Sequence, residues 1–370
     1  MNSEPTSNHS TLPGERRAIL AGLGGLAAGA LLVGGRSAHA GPLDPPVGPV
    51  ASTGKTLTEV EPRIAINAVN TPGDADSVFK ITQPGSYYLT GNVTGPSGKS
   101  GIEIAASNVT IDLNGFALLG EAGSGSGIVA TVAGNAVVVC NGNIRGWGSH
   151  GISLINFTET RVQRVIVINC LAYGFNLGGN SLVRDCLAAS NGGNGFYVNG
   201  QGVIDSCEAR GNAGDGIVLT AVGQVTRCVS RSNTLIGIRS SSNGFSLIAD
   251  NIAVDNLSEG IRVSRACIVA RNECAFNGVL GGAGIRVTGG DNRLEDNLCV
   301  NNTTTGISVD ASGNIIVRNS CSGNGTNWNI VANNVYGPIL DRSTPASAAV
   351  NGNAAASSLG TTDPHANFTF

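Results

Sequence analysis

The sequence predicts an all-β solenoid, a parallel β-helix of about ten to eleven coils, on three observations. A Gly-apolar-x-apolar unit recurs ten times between Gly101 and Gly306 at steps of 21–26 residues, and so short and regular a period marks stacked repeats. Within each unit the apolar residues alternate with period two, the pattern of a short strand. With 54 glycines, 13% charged and 41% hydrophobic residues, the chain is too apolar for disorder and too glycine-rich for helices.

In chain order, residues 1–40 read as an export signal. Arg16-Arg17 precede an apolar run from Ala18 to Val33, and Ala38-His39-Ala40 supplies a small-x-small cleavage pattern. The run is too short to span a bilayer comfortably. The paired arginines followed by Ile19 and Leu20 resemble a bacterial twin-arginine signal, with Glu15 and Ala21 departing from it. The protein is thus expected to be exported, to the periplasm or beyond, with no membrane span once the signal is gone. Residues 41–100 read as a lead-in and cap. Gly54-Lys55-Thr56 and Gly98-Lys99-Ser100 imitate a phosphate loop, but Pro49 and Val93 stand where its first glycine belongs, so both are turns. A net charge of −3 gives no field for nucleic acid.

Residues 101–335 carry the coils. The position after each glycine runs Ile102, Ile128, Ile152, Phe175, Phe196, Ile217, Ile238, Ile261, Ile285 and Ile307. An eleventh copy near Trp328 lacks the glycine. In a β-helix, equivalent residues stack about 4.8 Å apart, so each column of the repeat is a physical stack. Asn191, Asn212, Asn233, Asn256, Asn277, Asn302 and Asn324 form one, and stacked amides bond from coil to coil. The insertion Val279–Ala283 follows Asn277. The nine cysteines share columns with Ala, Ser and Asn, as in Cys186, Cys207, Cys228, Asn251, which predicts small buried side chains rather than a metal or disulfide framework. Between them Asp185, Ser206, Arg227, Asp250, Arg271, Asp296 and Arg318 mostly alternate in sign. Such charges are too costly for an apolar interior, so the chain is expected to turn there and point them outward. Residues 336–370 are expected to form a tail that covers the open end.

A second column bears on function. The middle residue of the unit points away from the core and becomes Tyr197, Val218, Arg239, Arg262 and Arg286 in successive coils. Three stacked arginines repel unless something offsets them. They read either as an anion-binding stripe, with Tyr197 stacking on a sugar ring, or as a surface stripe neutralised by Glu259 and Asp310. Asp215 and Glu259 occupy the same place two coils apart, with Ile236 between them. His150, beside Trp147, is the one histidine on the coils and reads as structural.

Residues 59–370 resemble the right-handed parallel β-helix superfamily that includes pectate lyases. More narrowly they resemble an exported bacterial group without an assigned activity, through the opening Pro84–Asn92 with Val109–Phe116 and the ending Asp363-Pro364-His365-Ala366-Asn367-Phe368. The resemblance implies polysaccharide as the partner and allows a calcium ion and lyase chemistry. No lysine follows Lys99 and no Asp-Asp pair exists, so an arginine-based lyase is favoured over a hydrolase if the chain is an enzyme at all. Catalytic residues are not identifiable. Arg239, Arg262, Arg286, Glu259, Asp310 and Tyr197 are the candidate substrate-binding residues on a uronate or sulfated polysaccharide. The chain is expected to be a monomer, and a non-catalytic structural or adhesive solenoid is the alternative.

Overall fold

The computed structural model describes residues 60–241, 244–343 and 361–370, all within the unit Leu57–Phe370. The expected export signal lies outside them. From Ile64 onward the regular elements of the described residues are β-strands, and no helix among the described residues is long and apolar enough to cross a membrane. The strands wind into twelve coils. One strand of each coil enters a twelve-stranded sheet, sheet one, running from Ser77–Ile81 to Thr326–Ile330. The other two lie on a bent parallel sheet of 24 strands, whose faces we call sheets two and three. Ser181–Arg184 and Leu187–Ala189 are one such pair.

The repeat glycines have a packing reason. A Cβ at Gly260 would lie 2.7 Å from the Asn277 amide nitrogen and 2.7 Å from the Gly284 carbonyl oxygen. Amide column and neighbouring coil therefore fill the space that any side chain needs. Two coils lack the repeat glycine: Val78 stands beside Gly101 in the first, which the sequence ruler missed, and Asn327 beside Gly306 in the last, the copy expected near Trp328. The coils consequently begin at Ser77, one coil before the first repeat glycine.

The inward column from Ile102 to Ile307 is fully buried, and Phe175 stacks on Phe196 at 4.6 Å between centroids. Trp147 is also fully buried. It occupies the volume that side chains at Gly95 and Gly101 would take and donates its indole N–H to the Leu118 carbonyl at 3.1 Å. All nine cysteines are free and buried. Burial pushes the Cys170 thiol up to about 11.

The charged column marks the bend between sheets two and three, as its composition predicts. The structure adds the mechanism. Arg164, Asp185, Ser206, Arg227, Asp250, Arg271, Asp296 and Arg318 all adopt the left-handed conformation, with φ of 52–60°. Asp tolerates it through local hydrogen bonds, whereas Arg has no such advantage. Here forked contacts offset the strain: Arg271 donates to both oxygens of Asp250, and Arg318 to both of Asp296, at 2.7–2.9 Å.

The asparagine column is continuous. Each Nδ2 from Asn191 to Asn302 donates to the next Oδ1 at 2.9–3.1 Å. The same Oδ1 accepts the backbone N–H of the coil before. A second column runs Asn251, Asn272, Asn297, Asn319 and ends on Asn367 of the tail. A third runs Asn292, Asn314, Asn334. At each final rung one amide hydrogen still bonds the coil before, at the Ile316, Ala311 and Cys299 carbonyls, but the one that would reach the next coil turns aside: Asn367 to the Gly337 carbonyl, Asn334 to Val331, and Asn324 to the Asn327 side chain.

Candidate functional site

The outer face of sheet one is built by register. Tyr197, Val218, Arg239, Arg262, Arg286 and Ser308 are Cα partners from coil to coil. The arginines therefore stack on one face, as the repeat predicts, but they are not free cations. Arg239 is ion-paired with Asp215 at 2.5 Å, Arg262 with Glu259, and Arg286 with Asp310 at 2.7 Å and with Glu259 at 3.3 Å. Asp215 and Glu259 are 2% and 1% exposed, whereas the arginine side chains remain about a third exposed. Three acids meet three arginines, so the stripe is locally neutral and the expected repulsion is offset.

The sequence had marked Glu259 and Asp310 as partners but not Asp215. Its signal is its place directly before a repeat glycine, as for Glu259, with an arginine two residues past the glycine of the next coil. Burial alone would raise the carboxyl groups of Glu259 and Asp310. Hydrogen bonds from Ser258 and Ser308 and the neighbouring guanidiniums outweigh it and hold both below the usual range. The Arg286 guanidinium is raised, chiefly by its hydrogen bond to Asp310.

Beside the stripe lies an open groove of about 460 Å3, lined by Arg239, Arg262 and Arg265 with Ser240, Ser241, Ser264 and Thr288. The Nε atoms of Arg239 and Arg262 are buried without a hydrogen-bond partner. Sequence reasoning missed Arg265, which follows the strand and belongs to no repeated column.

Tyr197 joins an aromatic end. Its ring lies 5.5 Å from Tyr173, which meets His150 edge-on at 5.3 Å. Nδ1 of His150 accepts the Tyr173 backbone N–H at 3.1 Å. Burial lowers the pKa of this imidazole and keeps it neutral. Tyr197 and Arg286 stand four coil steps apart, about 19 Å.

The described residues do not fit the calcium ion that the resemblance allows. No three acidic, His or Cys side chains among them converge on a metal position. Asp205, Asp215 and Glu259 each already hold a guanidinium.

The sequence pattern described as a right-handed β-helix region matches residues 134–273 and 178–322, together more than half of the chain. The chain belongs to the right-handed β-helix family. No curated protein matches the sequence. Among solved structures, this β-helix is similar to the A-module of the Azotobacter vinelandii mannuronan C-5 epimerase AlgE4. Identity is 15% and the TM-score 0.59, over 74% of this chain and 88% of that one. The AlgE6 A-module from the same organism gives 13% identity and a TM-score of 0.60, over 74% and 86%. At these identities the likeness is one of fold.

Proposed function

We propose that this β-helix is exported and binds a polysaccharide along the outer face of sheet one, from Tyr197 to Arg286. One observation carries the reading. A groove of guanidiniums and hydroxyls lies on a coil-spaced face, and the same register column carries Tyr197 of an aromatic cluster on the far side of the buried Val218. Buried carboxylates fix each arginine and leave its outer N–H groups pointing at solvent, a preorganised set of donors for carboxylate or sulfate. An extended polyuronate presents a carboxylate about every 4–5 Å, close to the ~4.8 Å coil spacing, so Arg239, Arg262 and Arg286 meet successive charges. Tyr197 supplies the face for a sugar ring, and Glu259 and Asp310 hold the arginines in place. The epimerases named above are titled for a mannuronan, which is a polymer of this kind. Binding is favoured over lyase chemistry, because an arginine base must lose its proton and Asp310 holds the proton on Arg286 more tightly.

The local neutrality of the stripe favours a second reading, a non-catalytic structural solenoid. Titration of the purified protein with polyuronates and sulfated polysaccharides separates the two. Binding that weakens with salt and falls tenfold or more in Arg286→Ala and Tyr197→Ala supports the proposal, as does the absence of unsaturated products. Equal affinity in parent and variants, or no binding to any acidic polymer, supports the structural reading.

A further inference from the structure

The outer column of sheet two has an order that nothing above uses. In register it runs Val138, Arg161, Leu182, Val203, Gln224, Leu247, Ile268, Arg293, Ile315. Read from Gln224 outward, each step meets the same kind of side chain on both sides: Val203 and Leu247, Leu182 and Ile268, Arg161 and Arg293, Val138 and Ile315. The inward neighbours Val183, Ile204, Val225, Ile248 and Val269 are fully buried, so this column faces out. Gln224 is exposed, and Ile268 and Ile315 are 45% and 42% exposed. Open grooves of about 510 and 310 Å3 lie on the same face, one against Val138, Arg161 and Leu182, the other against Gln224, Leu247 and Ile268.

We infer that a second copy of this chain docks on sheet two, antiparallel, about a two-fold axis lying in the interface along the strand of Gln224. An isologous contact requires a surface complementary to itself under rotation. With this axis, coil k of one copy meets coil −k of the other while positions along the strand are kept. Val203 then packs on Leu247 of the second copy and Leu182 on its Ile268. Two pairs of the bend column are complementary under the same operation: Asp185 falls opposite Arg271 of the second copy, and Arg164 opposite its Asp296, while Arg227, on the axis, falls opposite itself with its charge held by Asp205. Among the described residues no ion pair holds Asp185 or Arg164 within one chain; Arg164 donates Nε to the Asn141 side chain at 2.7 Å and carries no acidic partner. Arg161 falls opposite Arg293, whose own Glu295 at 2.7 Å offsets the like charge. The result is an apolar centre with a charged rim, the usual anatomy of an interface. Eight coil steps of ~4.8 Å give a length of about 38 Å, and the five residue steps from Glu159 to Arg164 give about 17 Å. The resulting area of about 650 Å2 is somewhat below the ~800 Å2 per partner of a standard specific interface. Sheet one stays open.

The test uses the full chain, sedimentation and site-specific cross-linking. Sedimentation at micromolar concentration is expected to give a dimer, and Leu247→Glu a monomer with an unchanged circular dichroism spectrum. Gln224→Cys sits on the axis, so mild oxidation joins it to itself. The native cysteines are buried and do not compete. Leu182→Cys alone stays uncoupled, while an equal mixture of Leu182→Cys and Ile268→Cys gives a linked pair. The cysteine set decides the matter even if Leu247→Glu does not fold. A chain that sediments as a monomer overturns the inference, whether its own terminal segments or only water covers the face. A dimer in which Gln224→Cys fails to couple, or Leu182→Cys couples to itself, overturns it too.

Discussion

At the residue scale, the informative groups are the buried carboxylates. Asp215 has one guanidinium, that of Arg239, and otherwise accepts the Ile236 backbone N–H at 2.9 Å. Glu259 has two, from Arg262 and Arg286. Removing one partner of a buried pair leaves an uncompensated charge. Because each arginine is about a third exposed, water screens part of the loss. Arg239→Ala is therefore expected to cost about 2 kcal/mol, and Arg262→Ala about half that, since Arg286 remains. Urea unfolding monitored by circular dichroism measures both, and equal losses contradict the pairing. The sequence made the arginine stack visible, because register follows from the repeat. It left the Asp215 pairing hidden, because a contact between one coil's turn and the next coil's strand depends on side-chain reach rather than period.

His150 gives a pH prediction. Burial holds its folded pKa below the ordinary histidine value of about 6.5, so below about pH 6.5 the unfolded chain binds a proton that the folded chain does not. Stability should fall with pH from about 6.5 downward, and thermal melts of parent and His150→Gln should differ in slope there. Parallel melting curves from pH 7 to 5 refute this. The carboxyl groups of Glu259, Asp205, Asp250, Asp296 and Asp310 are also shifted to lower values, chiefly by hydrogen bonds and neighbouring guanidiniums that outweigh burial. Their contribution is complete above the unfolded range of about 4–4.5 and disappears as pH drops through the folded values.

At the element scale, the coil is set by three features at different depths in the sequence. The inward apolar column and the repeat glycines were legible directly. Gly260→Ala is expected to destabilise by about 1–3 kcal/mol, because its Cβ would meet the Asn277 amide and the Gly284 carbonyl with nowhere to move. An unchanged melting temperature contradicts that packing reason. The bend was legible as a place where charge must face out. Its left-handed backbone was not, because Arg at a positive φ has no propensity signal. The third amide column, Asn292 to Asn334, has too few rungs to stand out in a chain this rich in asparagine.

At the scale of the whole molecule, neighbouring coils share everything. Each contacts mainly the next, so stability is a sum of interfaces along one axis. The cysteines follow that axis: Cys274, Cys299 and Cys321 are stacked partners with raised pKa at Cys299 and Cys321 from burial. A thiol reagent is expected to label few of the nine in the native protein and nearly all after denaturation. Rapid native labelling contradicts the burial. The coil count ran one beyond the sequence expectation because the first coil, at Ser77–Ile81, dispenses with the glycine that the ruler used.

The turned amides at the ends of the three asparagine columns carry one more consequence. A column of side-chain amides is a crystal in one dimension, and its open face is a template on which a further identical layer is welcome. Asn367, Asn334 and Asn324 poison that face, since each spends sideways, on Gly337, Val331 and Asn327, the donor that would have reached the next layer. Growth stops there for want of a hydrogen to offer. A chain with Asn367→Leu keeps Asn319 as a bare growing tip, and such chains should add end to end into filaments at concentrations where the parent scatters no light.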